Sequence, residues 1–211
     1  MKMITATAMP QKKYTAVSER IQHEIIRKSI HLLIAVVPLL ASIDNFATMA
    51  ILAGGVILYT YAEMMRQRGS YVFIISDVTL LAIRDRDRGR FVLGPVTLGI
   101  GAMLSLLLYP EPAASIAIYA LAFGDGFASL IGTIWGKVKI PFTGGKSVAG
   151  SFACFFTVYL ISFKITLNPL YALIIAFSAT LFEMFPAKDI DNLLVPAGTG
   201  LVASLLIFPV I

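Results

Sequence analysis

The chain has 211 residues, 58% of them hydrophobic and only 14% charged, and its apolar runs reach the roughly 17 to 25 residues that cross a hydrocarbon core of about 30 Å. That leaves no room for a sizeable soluble domain beside the spans, and the single Cys154 excludes an intrachain disulfide or a cysteine metal cluster. The net charge of +5 requires no nucleic acid, because the basic residues flank apolar runs, where they act as insertion signals, and form no aromatic-interleaved stripe.

Residues 1 to 25 are polar and cationic, without an early apolar core, and read as a cytoplasmic arm, not a signal peptide. Residues 26 to 211 then form one transmembrane catalytic domain, an all-α bundle with predicted spans at 26-43, 46-65, 91-109, 112-136, 148-165, 168-185 and 192-210. With the N-terminus in the cytoplasm, all of the 17 Lys and Arg except Lys164 fall on the cytoplasmic side, as the positive-inside rule requires. The segment "YVFIISDVTLLAI", 71 to 83, is too short to cross and would carry "RDRDRGR" outside, so it reads as an interfacial or re-entrant helix.

The fourth span carries "FGDGFASLIGTIWGK". On a continuous helix Asp125 lies about 16 Å inside the membrane, where an ionised group costs at least ~2.5 kcal/mol and marks function. Gly124, Ala128, Gly132 and Gly136 recur every fourth residue as a ridge for close helix packing, and Asp125, Ser129, Thr133 and Lys137 form a polar ladder beside it.

The ladder runs into "GKVKIPFTGGKS", where Lys137, Lys139 and Lys146 with Gly136, Gly144 and Gly145 precede a new helix at Ser147. Flexible glycines, ammonium groups and a helix N-terminus together suit phosphate. It is not a Walker A loop, which would need Gly where Ile140 stands. The last two spans meet at "FEMFPAKDIDNLLVP", and Glu183, Asp189, Asp191 and Asn192 offer hard oxygen ligands that suit Mg²⁺ shared with phosphate. Asp125 and Asp191 are both candidates for the base that accepts a hydroxyl proton, and both for metal ligand.

"RKSIH" (27-31), "EMMR" (63-66), the Asp125 stretch, "GGKSVAGS" (144-151) and "FEMFPAKDIDNLLVP" (182-196), in this order, resemble the CTP-dependent polyprenol kinase family, which includes dolichol, phytol and CTP-dependent diacylglycerol kinases and is related to the CDP-diglyceride synthases. The resemblance implies transfer of the γ-phosphate of CTP, with Mg²⁺, to the hydroxyl of a long-chain alcohol at the cytoplasmic face of the cell membrane. It implies that Asp125 belongs to the metal and nucleotide site, that Lys137, Lys146 and Ser147 hold the triphosphate, and that Glu183, Asp191 and Asn192 close the wall. Arg27 and His31, one turn apart, read as interfacial anchors or, as the resemblance implies, as contacts to nucleotide or lipid phosphate, and Arg66 of "EMMR" joins the nucleotide-binding residues. A CDP-lipid synthase is the alternative, disfavoured because "KDIDNLLVPAGTG" lacks the Arg and His of that signature. A small secondary transporter would also bury an Asp on a Gly-broken helix, but no matching interrupted helix stands in the other half.

Overall fold

The computed structural model describes residues 11 to 73, 75 to 83, 87, 89 to 186 and 190 to 209, with side chains from residue 21 onward. Among them the regular elements are helices. Helix α1 (Gln11–Leu32) passes through a 3-10 turn, Leu33–Val36, into α2 (Val37–Ile43), and α3 follows at once (Asn45–Gln67). Asp44 makes that sharp reversal possible by leaving helical geometry and accepting a hydrogen bond from the Ala47 amide at 2.9 Å, which satisfies one of the free donors of the new helix.

Helix α4 (Ile75–Ala82) corresponds to the segment expected not to cross, and its eight residues are too few to span a bilayer. Helix α5 (Gly94–Leu108) opens on Gly94-Pro95, with proline where no amide donor is needed. The fourth predicted span is α6 (Ala113–Tyr119), a π-helical stretch Ala120–Asp125, and α7 (Gly126–Ile134). The last three helices are α8 (Val148–Thr166), α9 (Pro169–Met184) and α10 (Asp191–Ile207).

Among the described residues four helical segments are long and apolar enough to cross a membrane: Ile21–Ile43, Asn45–Gln67, Ala113–Ile134 and Val148–Thr166. Three shorter apolar helices, α5, α9 and α10, occupy the remaining predicted spans. The fold is a polytopic helical membrane bundle. Its axis is α6–α7: 61% of that segment's most apolar stretch is buried, against 11% to 28% for the other three. One core cluster joins Ile116, Ala128, Cys154, Val158, Ile175 and Val195, and a second joins Ile34, Val37, Leu98, Ile118 and Leu121.

The small-residue ridge is the contact between α7 and α8. A Cβ added at Gly150 would lie 2.5 Å from the Ala128 carbonyl oxygen, and one at Gly132 would lie 2.9 Å from Ser147 Oγ. Backbone therefore meets backbone there, and only glycine leaves the room. The same approach brings the start of α8 beside the polar ladder.

Candidate active site

Asp125 closes the π-helical stretch of the central helix, in the interior of the bundle. Such single-turn irregularities concentrate at functional sites. Its carboxylate forms an ion pair with the Lys28 ammonium, and both side chains are 4% exposed. His31 Nε2 stands 3.3 Å from the same oxygen and 2.8 Å from the Leu121 carbonyl, one of the groups of the π-helical stretch. Lys28 and His31, three residues apart on α1, thus act on one face of the helix against the axis of the bundle.

On the other side of Asp125 stands Lys146. Its ammonium donates to Glu183 Oε1 at 2.6 Å and lies 3.8 Å from Asp125 Oδ1. Burial works to lower the pKa of Lys146, but Asp125 and Glu183 raise it above the ordinary lysine value, so the side chain is a cation at neutral pH. Ser151 Oγ, at 3.5 Å, approaches the second Glu183 oxygen. The result is a chain of alternating charge, Lys28, Asp125, Lys146 and Glu183, drawn from α1, the axial helix, the loop before α8, and α9.

The loop that delivers Lys146 folds back on itself. Lys139 and Ser147 form an isolated antiparallel bridge, with Ile140 N donating to Lys146 O at 2.9 Å and Val148 N to Val138 O at 3.1 Å. Gly144 (φ 68°) and Gly145 (φ 100°) make the reversal, the second in backbone space that suits glycine. Ser147 Oγ accepts from Gly150 N at 3.2 Å, so its first role is to cap α8.

Two cavities border this ion chain. One, about 420 Å³, has a polar lining that includes Ser129, Thr133, Lys137, Lys139, Lys146 and Glu183, with Gly132, Gly136, Gly145 and Gly150 leaving it open. The other, about 310 Å³, lies between α1, α4 and α5, with Lys28, His31, Asp125, Asp191 and Asn192 at its polar edge.

The structure thus brings Asp125, Lys146, Glu183, Lys137, Gly145 and Ser147 to one region. Asp191, Asn192, Arg27 and His31 line the second cavity. Asn192 donates to Thr97 Oγ1 at 2.9 Å and to Gly94 O at 3.2 Å, joining α10 to α5. Arg27 reaches Glu24 and, at 3.2 Å, Ser129 Oγ, and so ties α1 to the polar ladder. Arg66 lines neither cavity. Its guanidinium grips the buried Glu63 through two bonds, 2.7 and 2.6 Å, and also donates to Arg90 O at 3.1 Å. Gly144 lies instead against Pro186. Most of "RDRDRGR", together with Lys188 and Asp189, lies outside the described residues.

Asp125, Glu183 and Asp191, expected together around a metal, are divided between the cavities, and among the described residues no three His, Cys, Asp or Glu gather as a ready-made metal set. Asp125 and Glu183 do converge on one ammonium, and hard carboxylate oxygens of this kind fit Mg²⁺ that arrives with phosphate oxygens of its own.

Sequence reasoning missed Lys28, although it is 3% exposed and is the principal partner of Asp125. Its position in the "RKSIH" run next to the cationic arm let the insertion rule absorb it. The usable signal was spacing: Lys28 and His31 share a helical face that a lipid anchor would not require.

Helical architecture, an internal charge-balanced cluster and two flanking cavities define a polytopic membrane protein with a built polar site. Similar proteins lie among the plant phytol kinases. A Triticum aestivum protein named "Probable phytol kinase, chloroplastic" is 29% identical over 92% of this chain and 72% of its own length. The Oryza sativa subsp. japonica "Probable phytol kinase 1, chloroplastic" is 27% identical over 88% of this chain and 65% of its own. The Glycine max "Probable phytol kinase 2, chloroplastic" is 31% identical over 54% and 45%. The resemblance to the polyprenol kinase family, phytol kinases included, therefore holds along most of the chain. No family model matches the chain, and no solved structure does.

Proposed function

We propose that this chain is a CTP-dependent membrane kinase that phosphorylates the hydroxyl of a long-chain isoprenoid alcohol of the phytol class. The observation that carries this reading is Lys146, held between Asp125 and Glu183 at the edge of a cavity walled by glycines and further lysines. A triphosphate offered to that cavity meets ammonium groups and open backbone, and the carboxylates behind Lys146 keep it charged and aimed.

Phosphoryl transfer depends on positioning and charge neutralisation more than on covalent chemistry. The alcohol oxygen bonds to the γ-phosphorus, the bond from that phosphorus to the bridging oxygen of the β-phosphate breaks, and the hydroxyl proton passes to a carboxylate. Asp125, which lines the second cavity and stands 3.8 Å from Lys146 of the first, is the carboxylate we assign to that proton. Mg²⁺, held through Glu183 or Asp125 and by phosphate oxygens, would offset charge on the transferring group. The sequence resemblance supports CTP as donor, and the relatives named as phytol kinases support a prenol-type acceptor. The distribution of basic residues supports a site facing the cytoplasm.

Purified protein incubated with γ-labelled CTP, Mg²⁺ and a panel of alcohols should transfer label to phytol or geranylgeraniol. No labelled lipid, with pyrophosphate released when a lipid phosphate is added, would overturn the kinase in favour of a CDP-lipid synthase.

A further inference from the structure

The second cavity has a different character from the first. Its walls are mainly apolar, formed by Ile30, Ile75, Val78, Val92 and Leu98, while its polar edge carries Arg27, Lys28, His31, Asp125, Asp191 and Asn192. Helix α4 contributes Ile75, Val78, Thr79 and Ala82, spaced as one helical face. Its neighbours Leu80 and Leu81 are each 51% exposed, so α4 turns one apolar face to the cavity and leaves further apolar side chains on the outside of the bundle. His23 Nδ1 meets the Leu81 carbonyl at 2.8 Å and pins the end of α4 to α1.

We propose that this cavity is the acceptor site and that it takes the hydroxyl end of a single-chain, prenyl-type alcohol in preference to a diacylglycerol. This rests on the kinase reading and narrows its substrate. The acceptor then meets Asp125 directly from the apolar cavity, and the donor is held in the polar cavity by Lys146, 3.8 Å from Asp125. A volume of about 310 Å³ is at the bottom of the ~300–1,000 Å³ range of small-molecule sites. It holds the first prenyl units of a chain whose remainder lies in the bilayer. A diacylglycerol would bring two chains and two ester groups to the same depth, more bulk than a volume of about 310 Å³ admits.

The test uses the 211-residue chain in nanodiscs with a phytol analogue bearing a diazirine near its hydroxyl, without nucleotide. Photolabel should fall on 75 to 82 or on Ile30 and be competed by phytol and not by diacylglycerol. Ala82→Phe, which narrows the slot without touching the ion chain, should raise the phytol KM by about tenfold or more while the CTP KM stays within about twofold. Label on α8 or α9 with phosphorylation intact would overturn the site and leave the kinase standing. Labelling of α4 by a photoreactive nucleotide, or diacylglycerol turned over as well as phytol, would equally overturn it. Absence of phosphorylation of every alcohol overturns the kinase itself, a result the photolabel pattern cannot mimic.

Discussion

Removing the Lys28 ammonium isolates a buried carboxylate. In Lys28→Met, Asp125 keeps only Lys146 at 3.8 Å, whose ammonium is already committed to Glu183 at 2.6 Å, and His31 at 3.3 Å. Breaking a buried ion pair from one side costs about 3–5 kcal/mol, and the remaining Lys146 puts the expected loss near the lower end, about 3 kcal/mol. For a chain of this size that lowers the melting temperature by about 6–12 °C. Asp125→Asn should cost a similar amount, because it strands Lys28 instead. The double variant leaves one ammonium, Lys146, and one carboxylate, Glu183, so it should be more stable than either single variant, a coupling of at least about 2 kcal/mol. A thiol-reactive fluorogenic dye makes a convenient assay, because Cys154 is fully buried and becomes reactive only on unfolding. Additive losses in the double variant, or a Lys28→Met protein within about 2 °C of the parent, would refute the pairing.

Asp125→Asn should also lower turnover by about a hundredfold or more, and the double variant, though stabilised, should not regain it; recovered turnover would remove Asp125 from the chemistry. Lys146→Ala should raise the CTP requirement by about tenfold or more with little change for the alcohol, as loss of a charged hydrogen bond predicts; the reverse pattern would misassign the loop. The stability contributed by Lys146 is present below the unfolded lysine value of about 10.4 and is lost only as pH rises through the raised folded value, so its contribution to melting should be constant from about pH 7 to 9, and a contribution that fades in that window would contradict the raised value. Gly150→Ala sets a Cβ 2.5 Å from the Ala128 carbonyl and should cost about 1–3 kcal/mol, read in the same melting assay. In a Cys154→Ala background, Lys139→Cys, which is exposed, should react with an impermeant thiol reagent only in opened cells; labelling from outside would reverse the proposed orientation.

The helices and their packing ridge were legible because each has a period: apolar runs of membrane length, and small residues every fourth position from Gly124 to Gly136. The Lys146 loop was legible from its glycines and its place before a helix. Glu63 with Arg66 is open to reading as a pair three residues apart on one helix, and the structure shows that pair, which the family motif, pointing Arg66 at nucleotide, does not suggest. The π-helical stretch was not legible, since Ala120–Asp125 contains nothing that an ordinary membrane helix lacks except Gly124-Asp125 at its end. Nor was the union of Lys28 with Asp125, because no local period links residues on different helices.

The pairing of Lys28 with Asp125 across 97 residues also sets an order of events during synthesis. At about 5–20 residues per second, Lys28 has been translated for roughly 5–20 s before Asp125 exists. Through that interval the ammonium of Lys28 has Glu24, one turn back on the same helix, as its counter-charge, and its long side chain can reach for the headgroup region. The carboxylate that Lys28 meets in the folded bundle is therefore supplied only once the fourth apolar segment has been made. A nascent chain halted before Asp125 should hold the first helix in a shallower position, within reach of the quality-control proteases that survey unassembled membrane segments.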